Sequence, residues 1–148
     1  MALSLCLGLG AACAKHEVHP PDHDTEVAAA ESVLTVVSFD TVTQKSDAER
    51  ALHGNTVYAY ACTKCHGYVG DGNSEYARGR ELRVPSLVAP DWKYAGDLAG
   101  VRHRVFSGHS AGMPTWGLRG GDVGLSLRDV DAVSFYGVTQ LRKDALAR

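Results

Sequence analysis

The stretch 61–67, Ala-Cys-Thr-Lys-Cys-His-Gly, restricts what this chain can fold into more than any other feature. Cys62 and Cys65 are separated by two residues, and His66 follows at once. This is the attachment signature of a c-type haem, because each thiol can add across one porphyrin vinyl group while the histidine binds the iron. A zinc site or a thiol redox pair is the alternative, but no second ligand pair follows at zinc-site spacing. We therefore predict one covalent haem c, since the motif occurs once.

The bulk composition is that of one globular domain with an additional tail. The 148 residues carry a formal net charge of −2 with scattered Lys and Arg, so nothing indicates nucleic-acid binding. Aromatic residues make up only 7%, few for a large core, and a buried haem would supply the missing apolar mass. The other two cysteines, Cys6 and Cys13, fall in an N-terminal apolar stretch, so no pair remains for a structural disulfide.

Residues 1–14 are predicted to be an export signal. Residues 2–14 carry no charge, and as a helix they would reach about 20 Å, short of the roughly 30 Å hydrocarbon core of a membrane. Such a stretch suits the apolar part of a signal peptide. The run Gly-Ala-Ala-Cys ending at Cys13 also resembles a lipoprotein signal, so simple cleavage and lipidation both stay open. Either process predicts a protein on the periplasmic side of a bacterial membrane, where lipid on Cys13 would anchor it.

Residues 15–45 are predicted to form a linker and an extended N-terminal arm. Pro20 and Pro21 exclude a helix at their position. Three nearby histidines suit a solvated tether better than a metal site; these are His16, His19 and His23. Residues 26–32 could be helical, whereas within 32–43 Val, Thr and Phe alternate with other residues as they do in a strand. Such a strand would either pack on the following domain or dock on a partner protein.

Residues 46–142 are predicted to form a small all-α domain, followed by a tail at 143–148. Ser46 and Glu49 form a capping box that would start a helix leading into the haem motif. Gly54, in the middle of that helix, indicates a close contact with another helix. Further helices are expected over 75–82, 97–106 and 126–141. Residues 126–129 (Ser-Leu-Arg-Asp) would cap the last one, whose residues give a broad apolar face.

Met113 is the candidate for the second iron ligand. The chain has only one other methionine, Met1, which would leave with the signal. Met113 lies in a glycine-rich loop, and the following Pro114 stiffens that loop. His109 and His103 are rival ligands, and ligation by two histidines would lower the reduction potential relative to histidine and methionine.

Together, these features resemble a class I c-type cytochrome over roughly residues 46–141. The resemblance rests on the helix leading into Cys-Thr-Lys-Cys-His-Gly, on Gly-Met-Pro-Thr-Trp at 112–116 and on Val-Ser-Phe-Tyr-Gly at 133–137. It implies a cytochrome c fold, in which a small helical domain surrounds one covalent haem. It also implies that the first and last helices cross where Gly54 meets Phe135 or Tyr136.

The same resemblance implies further site residues. The carbonyl of Pro85 would hold the His66 ring, although the interval between them is longer than in the best-known members of the family. Three aromatic side chains would contact the haem; these are Trp92, Tyr94 and Trp116.

With His66 and Met113 both bound, iron would have no open position for a substrate. The expected function is therefore one-electron transfer in a respiratory, photosynthetic or denitrifying chain rather than catalysis. The expected partners are redox proteins that donate and accept the electron, with this protein as a membrane-attached subunit of a redox complex. The alternative is a haem enzyme or gas sensor with an open sixth position, assisted by His109 or Arg119. Carbon monoxide binding to the reduced protein distinguishes these functions.

Overall fold

The computed structural model describes residues 22–35, 37–118 and 124–147, and the secondary structure of these residues is helical. The helices are α1 His23–Leu34, α2 Asp47–Val57, α3 Thr63–His66, α4 Glu75–Gly79, α5 Leu98–Ser107, α6 Leu127–Thr139 and α7 Leu141–Leu146. A 3-10 turn covers Phe39–Thr41, and a π-helical turn, Tyr58–Cys62, joins α2 to α3. Within the described ranges no strand forms, apart from a single bridge between His109 and Met113. The all-α prediction is confirmed.

Side-chain caps determine where the two longest helices of the domain begin. Ser46 accepts a hydrogen bond from the backbone amide of Glu49 at 3.1 Å. Ser126 forms a full capping box with Asp129, in which each residue binds the backbone amide of the other. The predicted cap at Ser126 is confirmed, and of the capping box predicted at Ser46 the bond from the Glu49 amide to the Ser46 side chain is formed. The shorter predicted helices are present as α4 and α5, although α4 ends earlier, at Gly79.

The crossing of α2 and α6 is the largest helix interface of the described residues. A Cβ atom added at Gly54 would lie 2.6 Å from the Cβ of Tyr136, so glycine allows an approach that any larger residue would prevent. The predicted contact of Gly54 is confirmed for Tyr136. Phe135 instead packs beneath the guanidinium of Arg50, whose carbon lies 4.2 Å from the ring centroid.

The core lies where α2, α5, α6 and α7 meet. Its buried members are Val57, Tyr58, Val101, Val105, Phe106, Leu125, Val130, Val133, Tyr136 and Leu141. The rings of Tyr58 and Tyr136 pack with their centroids 5.8 Å apart. Helices this short are marginal in isolation, so most of their stability comes from burial of this shared apolar face.

One carboxylate, that of Asp131, is buried beside this core, with its side chain only 3% exposed. Arg50 Nε donates to it from α2 at 2.8 Å, and Arg102 Nε donates to it from α5 at 2.9 Å. Burial alone would raise the pKa of Asp131, but the hydrogen bonds from the two guanidinium groups hold that pKa below its ordinary value. Asp131, on α6, therefore links three helices as an ionised group.

Asp131→Asn is expected to lower the free energy of unfolding by about 3 kcal/mol at neutral pH, because two guanidinium groups lose their buried counter-charge. A carboxylate with a lowered folded-state pKa stabilises the fold above its unfolded-state pKa of about 3.9. That contribution is lost as the pH falls through the lower folded-state value. The difference in free energy of unfolding between wild type and Asp131→Asn should therefore shrink below about pH 4.

Urea unfolding followed by circular dichroism, at neutral pH and at a pH near 3, measures this difference. Asp91→Asn is the matched control, because Asp91 is exposed in a turn. A difference between wild type and Asp131→Asn that is the same at both pH values would contradict the prediction.

The extended N-terminal arm predicted for 15–45 is wrong over residues 23–34, which form α1, and the helix expected at 26–32 is confirmed. α1 lies along α5 and buries Ala30 completely. The strand predicted over 32–43 is wrong within the described residues, because 32–34 belong to α1 and Phe39–Thr41 is a 3-10 turn. A lone strand would leave its backbone N–H and C=O groups without partners, whereas Leu34, Val37 and Phe39 pack against the core. Of the two alternatives for this segment, packing on the domain is the one observed.

The helix predicted to run to Leu141 is interrupted at Gln140, after which α7 begins. α7 continues to Leu146, through part of the predicted tail. No helix among the described residues has the length and apolar character needed to cross a membrane. Several predictions concern residues that lie outside the described ranges, namely the signal at 1–14, Cys6, Cys13, His16, His19 and Arg119.

Candidate haem site

The Cys-Thr-Lys-Cys-His motif lies where α2 passes into α3. The π-helical turn ends at Cys62, and α3 carries Cys65 and His66. All three side chains are half-buried. A π turn accommodates one extra residue per turn and is frequent at functional sites. Both thiols and the imidazole are therefore carried by one short helical segment that continues directly from α2, the helix that crosses α6.

The environment of Cys62 argues against a reactive thiol. Part of the residue reaches solvent, yet protein atoms surround the sulfur, and this burial raises the pKa of the Cys62 thiol to about 12. Cys65 adds a smaller effect in the same direction. Redox-active and metal-binding cysteines depend on a lowered pKa. In addition, no group of three or more His, Cys, Asp or Glu side chains that could hold a metal ion occurs among the described residues.

The His66 ring has a buried nitrogen, Nδ1, without a partner in hydrogen-bond geometry. Burial lowers the pKa of His66, and the Pro85 carbonyl partly offsets this by acting on the ring as an acceptor. The carbonyl therefore lies near the ring, although the full hydrogen bond is not formed. Buried unpaired nitrogens are uncommon. A neutral histidine with one nitrogen beside a carbonyl is the arrangement that metal-ligating histidines adopt, so the residues present fit a haem.

The loop after α3 brings Pro85 to this position. The Gly72 amide donates to the His66 carbonyl at 3.0 Å, and the Leu87 amide donates to the Gly70 carbonyl at 2.7 Å. A Cβ atom at Gly72 would lie 3.1 Å from the Pro85 carbonyl oxygen. The segment that contains Pro85 therefore lies directly against the loop that leaves the motif. This pairing supports the role predicted for Pro85.

Met113 lies in a loop that its own backbone closes. The Met113 amide donates to the His109 carbonyl at 3.1 Å, and the His109 amide donates to the Met113 carbonyl at 3.0 Å. The Met113 side chain is half-buried and packs against the same core cluster as Cys62. Cys62, a predicted attachment residue, and Met113, the predicted second ligand, therefore pack against the same core.

Sequence reasoning missed the contribution of His23 to this loop. Its Nε2 atom donates to the His109 carbonyl at 2.8 Å and lies 3.1 Å from the Met113 carbonyl. The prediction that His23 belongs to a solvated tether is therefore wrong. The only indication in the sequence was the histidine itself, because nothing local shows that its partners lie more than eighty residues away.

Both rival histidines are engaged elsewhere. The Nδ1 atom of His109 accepts a hydrogen bond from the Ala111 amide at 3.0 Å, within its own turn, and the residue is exposed. The Nε2 atom of His103 lies 2.5 Å from the Glu31 carboxylate of α1. Each contact occupies one nitrogen of its ring. Met113, which is half-buried against the core, remains the better candidate than the exposed His109.

The three aromatic side chains predicted to contact a haem are half-buried and pack against the core cluster. Trp92 and Tyr94 meet edge to face, with centroids 6.1 Å apart, and the Tyr94 hydroxyl accepts a hydrogen bond from Arg104 at 3.1 Å. Trp116 follows the loop that contains Met113, and the Trp116 carbonyl accepts a hydrogen bond from the Leu125 amide at 3.1 Å. An apolar group covering these side chains would remove apolar surface from water.

Comparison with known proteins gives relatives of one kind. The chain is 37% identical over 76 residues to the Cbb3-type cytochrome c oxidase subunit CcoP of Azospirillum brasilense, a match covering 51% of this chain and 25% of that protein. It is 32% identical over 90 residues to the subunit FixP of Azorhizobium caulinodans, covering 61% of this chain and 27% of the relative. It is 31% identical over 96 residues to CcoP of Rhodobacter capsulatus, covering 63% and 30%.

No protein-family model and no solved structure matches the chain. The chain spans less than a third of the length of these curated relatives. The predicted resemblance to c-type cytochromes is nevertheless confirmed, because over 51% to 63% of its length the chain is similar to the CcoP and FixP subunits of Cbb3-type cytochrome c oxidases.

Proposed function

We propose that this protein transfers single electrons in a respiratory chain through one covalently attached haem c, with His66 and Met113 as iron ligands. The observation that carries the proposal is the segment Cys62–His66, which places two thiols and a half-buried histidine on one short helical turn, with the Pro85 carbonyl near the histidine ring. Similarity to oxidase subunits supports the respiratory chain as the setting.

Each residue of the segment has a separate task. Cys62 and Cys65 would hold the group by thioether bonds, each thiol adding its sulfur to one vinyl carbon and its hydrogen to the other, with no electron gained or lost. His66 would bind iron with one nitrogen and direct the other N–H toward the Pro85 carbonyl, which would keep the ring oriented. Met113 would provide the sulfur ligand. When bound, haem supplies a one-electron couple between ferric and ferrous iron.

Two protein ligands explain why a carrier is favoured over an enzyme. If His66 and Met113 both bind, no position remains for a substrate, and the protein only sets the potential and controls access of water. A methionine ligand and apolar surroundings both raise the potential, because the ferrous state carries less charge. The half-buried position of Met113 against the core supports this arrangement, since its rival in the same loop, His109, is exposed.

We propose that the protein works on the periplasmic side as a membrane-attached subunit of a redox complex, receiving its electron from one redox protein and passing it to another. Its similarity to subunits of a terminal oxidase supports a partner of that kind. Lipid on Cys13 would provide the attachment. The intact mass of protein purified from its native membrane tests this, because acyl chains on Cys13 would add to the mass of the haem-loaded chain.

Met113→Ala is the experiment that tests the electron-carrier proposal. The variant should keep its covalent haem, lose the weak sulfur-to-iron absorption band and bind carbon monoxide when reduced. Its reduction potential should fall by on the order of 0.1 V, since axial ligands set haem potentials over about 0.8 V. Optical spectra and a redox titration measure these changes.

Leu118→Ala is the matched control, because Leu118 lies beyond the same loop, is partly exposed and carries no sulfur. It should leave the band and the potential unchanged. A wild-type protein that lacks the band, or that binds carbon monoxide readily, would contradict ligation by Met113 and would favour a haem enzyme or gas sensor.

A further inference from the structure

We propose that α1 is a strap that holds the Met113 loop closed, and that His23 is a positioning residue for the second iron ligand. The Met113 loop is defined here as residues 108–114. The proposal rests on the proposed function, because it takes Met113 as the ligand. It goes further in assigning a role to a segment that precedes the haem domain in the sequence.

The first observation is the contact at the N-terminal end of α1. His23 Nε2 lies 2.8 Å from the His109 carbonyl and 3.1 Å from the Met113 carbonyl. Carbonyl oxygens only accept, so Nε2 must carry the hydrogen and share it between them. These two residues form the backbone bridge at the neck of the loop. A single N–H therefore ties α1 to both sides of the neck, including the backbone of Met113 itself.

The second observation is the anchoring of α1 on α5. The Glu31 carboxylate accepts from the Ser107 hydroxyl at 2.9 Å and contacts His103 Nε2 at 2.5 Å. Burial by itself would raise the pKa of Glu31, but these hydrogen bonds hold it below its ordinary value, so the group stays ionised. Ala30, on the same helix, has no exposed surface. α1 is thus fixed to the residue that immediately precedes the loop and, through His23, to the neck of that loop.

The third observation is how little else holds the loop. Residues 109–112 are exposed, and a segment with few buried contacts opens at low cost in free energy. Within the described residues, side chains outside the loop hydrogen-bond to it from two positions only, Arg104 and His23. Arg104 binds the carbonyl of Gly108 at the start of the loop, at 3.2 Å. His23 is the one that acts at Met113.

The proposal predicts what His23→Ala does to the haem-loaded protein. The reduced variant should bind carbon monoxide about three- to tenfold more tightly than wild type, which corresponds to the loss of one hydrogen bond that holds the loop. The sulfur-to-iron band should also disappear at a lower temperature. His23→Gln retains an N–H donor at a similar reach and should restore both properties towards wild type.

His53→Ala is the matched control. His53 also pairs with a carboxylate, that of Asp129, at 2.7 Å, but it lies on α2 and does not touch the loop. It should leave carbon monoxide binding and the band unchanged. Glu31→Ala should also tighten carbon monoxide binding and lower the temperature at which the band disappears, although it alters no contact to the loop. The double variant His23→Ala/Glu31→Ala should bind carbon monoxide no more tightly than the stronger single variant, because both substitutions act through the same strap.

The outcomes separate the two proposals. Suppose that wild type shows the sulfur-to-iron band and that His23→Ala matches wild type in carbon monoxide binding and in the melting of the band. This result overturns the strap and leaves the electron-transfer proposal intact. Changes in the band that occur only together with global unfolding, followed by circular dichroism, also overturn it. A wild-type protein without the band overturns both proposals.

Discussion

Replacing both Cys62 and Cys65 with alanine is expected to abolish covalent attachment of haem to this protein. No thiol would remain within the motif to form a thioether, and haem would then be held only by coordination and apolar contact. Haem staining after denaturing electrophoresis measures the covalent fraction, and intact mass counts the groups attached. Wild type should carry one haem after export from a host with haem-attachment machinery, and the double variant none.

Thr63→Ala is the matched control for the double cysteine variant. Thr63 lies between the two cysteines, and its hydroxyl binds the Ala59 carbonyl at 2.7 Å, so its loss perturbs the segment without removing a thiol. This control should retain covalent haem. Staining of the double variant at wild-type intensity would contradict the central assignment of the motif. Absence of haem from wild type would return these residues to the thiol or metal alternatives.

Gly54→Ala is expected to lower the free energy of unfolding by about 3 kcal/mol or more, a large effect for the addition of one methyl group. The new Cβ atom would lie 2.6 Å from the Cβ of Tyr136 and closer still to the backbone of Ala132. Backbone atoms cannot move aside as a flexible side chain can, so α2 and α6 would have to separate. The segment that carries Cys62 and His66 continues from α2, and a shift of that helix should also reduce haem loading.

Gly137→Ala offers a control on the other helix of the same pair. Nothing lies within 4 Å of a Cβ atom at Gly137. Alanine should therefore raise the free energy of unfolding there by about 0.5 to 1 kcal/mol, because it restricts the unfolded chain more than glycine does. Urea unfolding monitored by circular dichroism compares the two. Variants of Gly54 and Gly137 with equal stability would contradict the close helix approach.

Features encoded in short stretches were predictable. The caps at Ser46 and Ser126 require only residues three positions apart, and both helices begin where these caps indicate. The thiols and imidazole of the haem motif are consecutive in the chain, so no tertiary information is needed to recognise them. Met113 was identified because the chain offers only one other methionine. The ligand role of Met113 stays a prediction, supported by its half-buried position against the core.

Part of the segment before the domain was predicted wrongly because its conformation depends on a distant surface. The alternation of β-branched residues over 32–43 indicated a strand, but no other strand forms among the described residues for it to pair with. Leu34, Val37 and Phe39 instead pack on the core, while Ala30 and Glu31 hold the preceding helix on α5. The same packing places His23 against the Met113 loop.

The sequence by itself determined the chemistry: a pair of thiols, an adjacent imidazole, a lone internal methionine and the capped helices that carry them. Only the tertiary structure decided how distant parts of the chain pack, namely the placement of α1 on α5, the choice of Tyr136 over Phe135 at Gly54 and the contact of His23 with the loop. The reason is physical. Covalent spacing and capping act within one turn of chain, whereas ring orientation and loop closure depend on atoms brought together by packing.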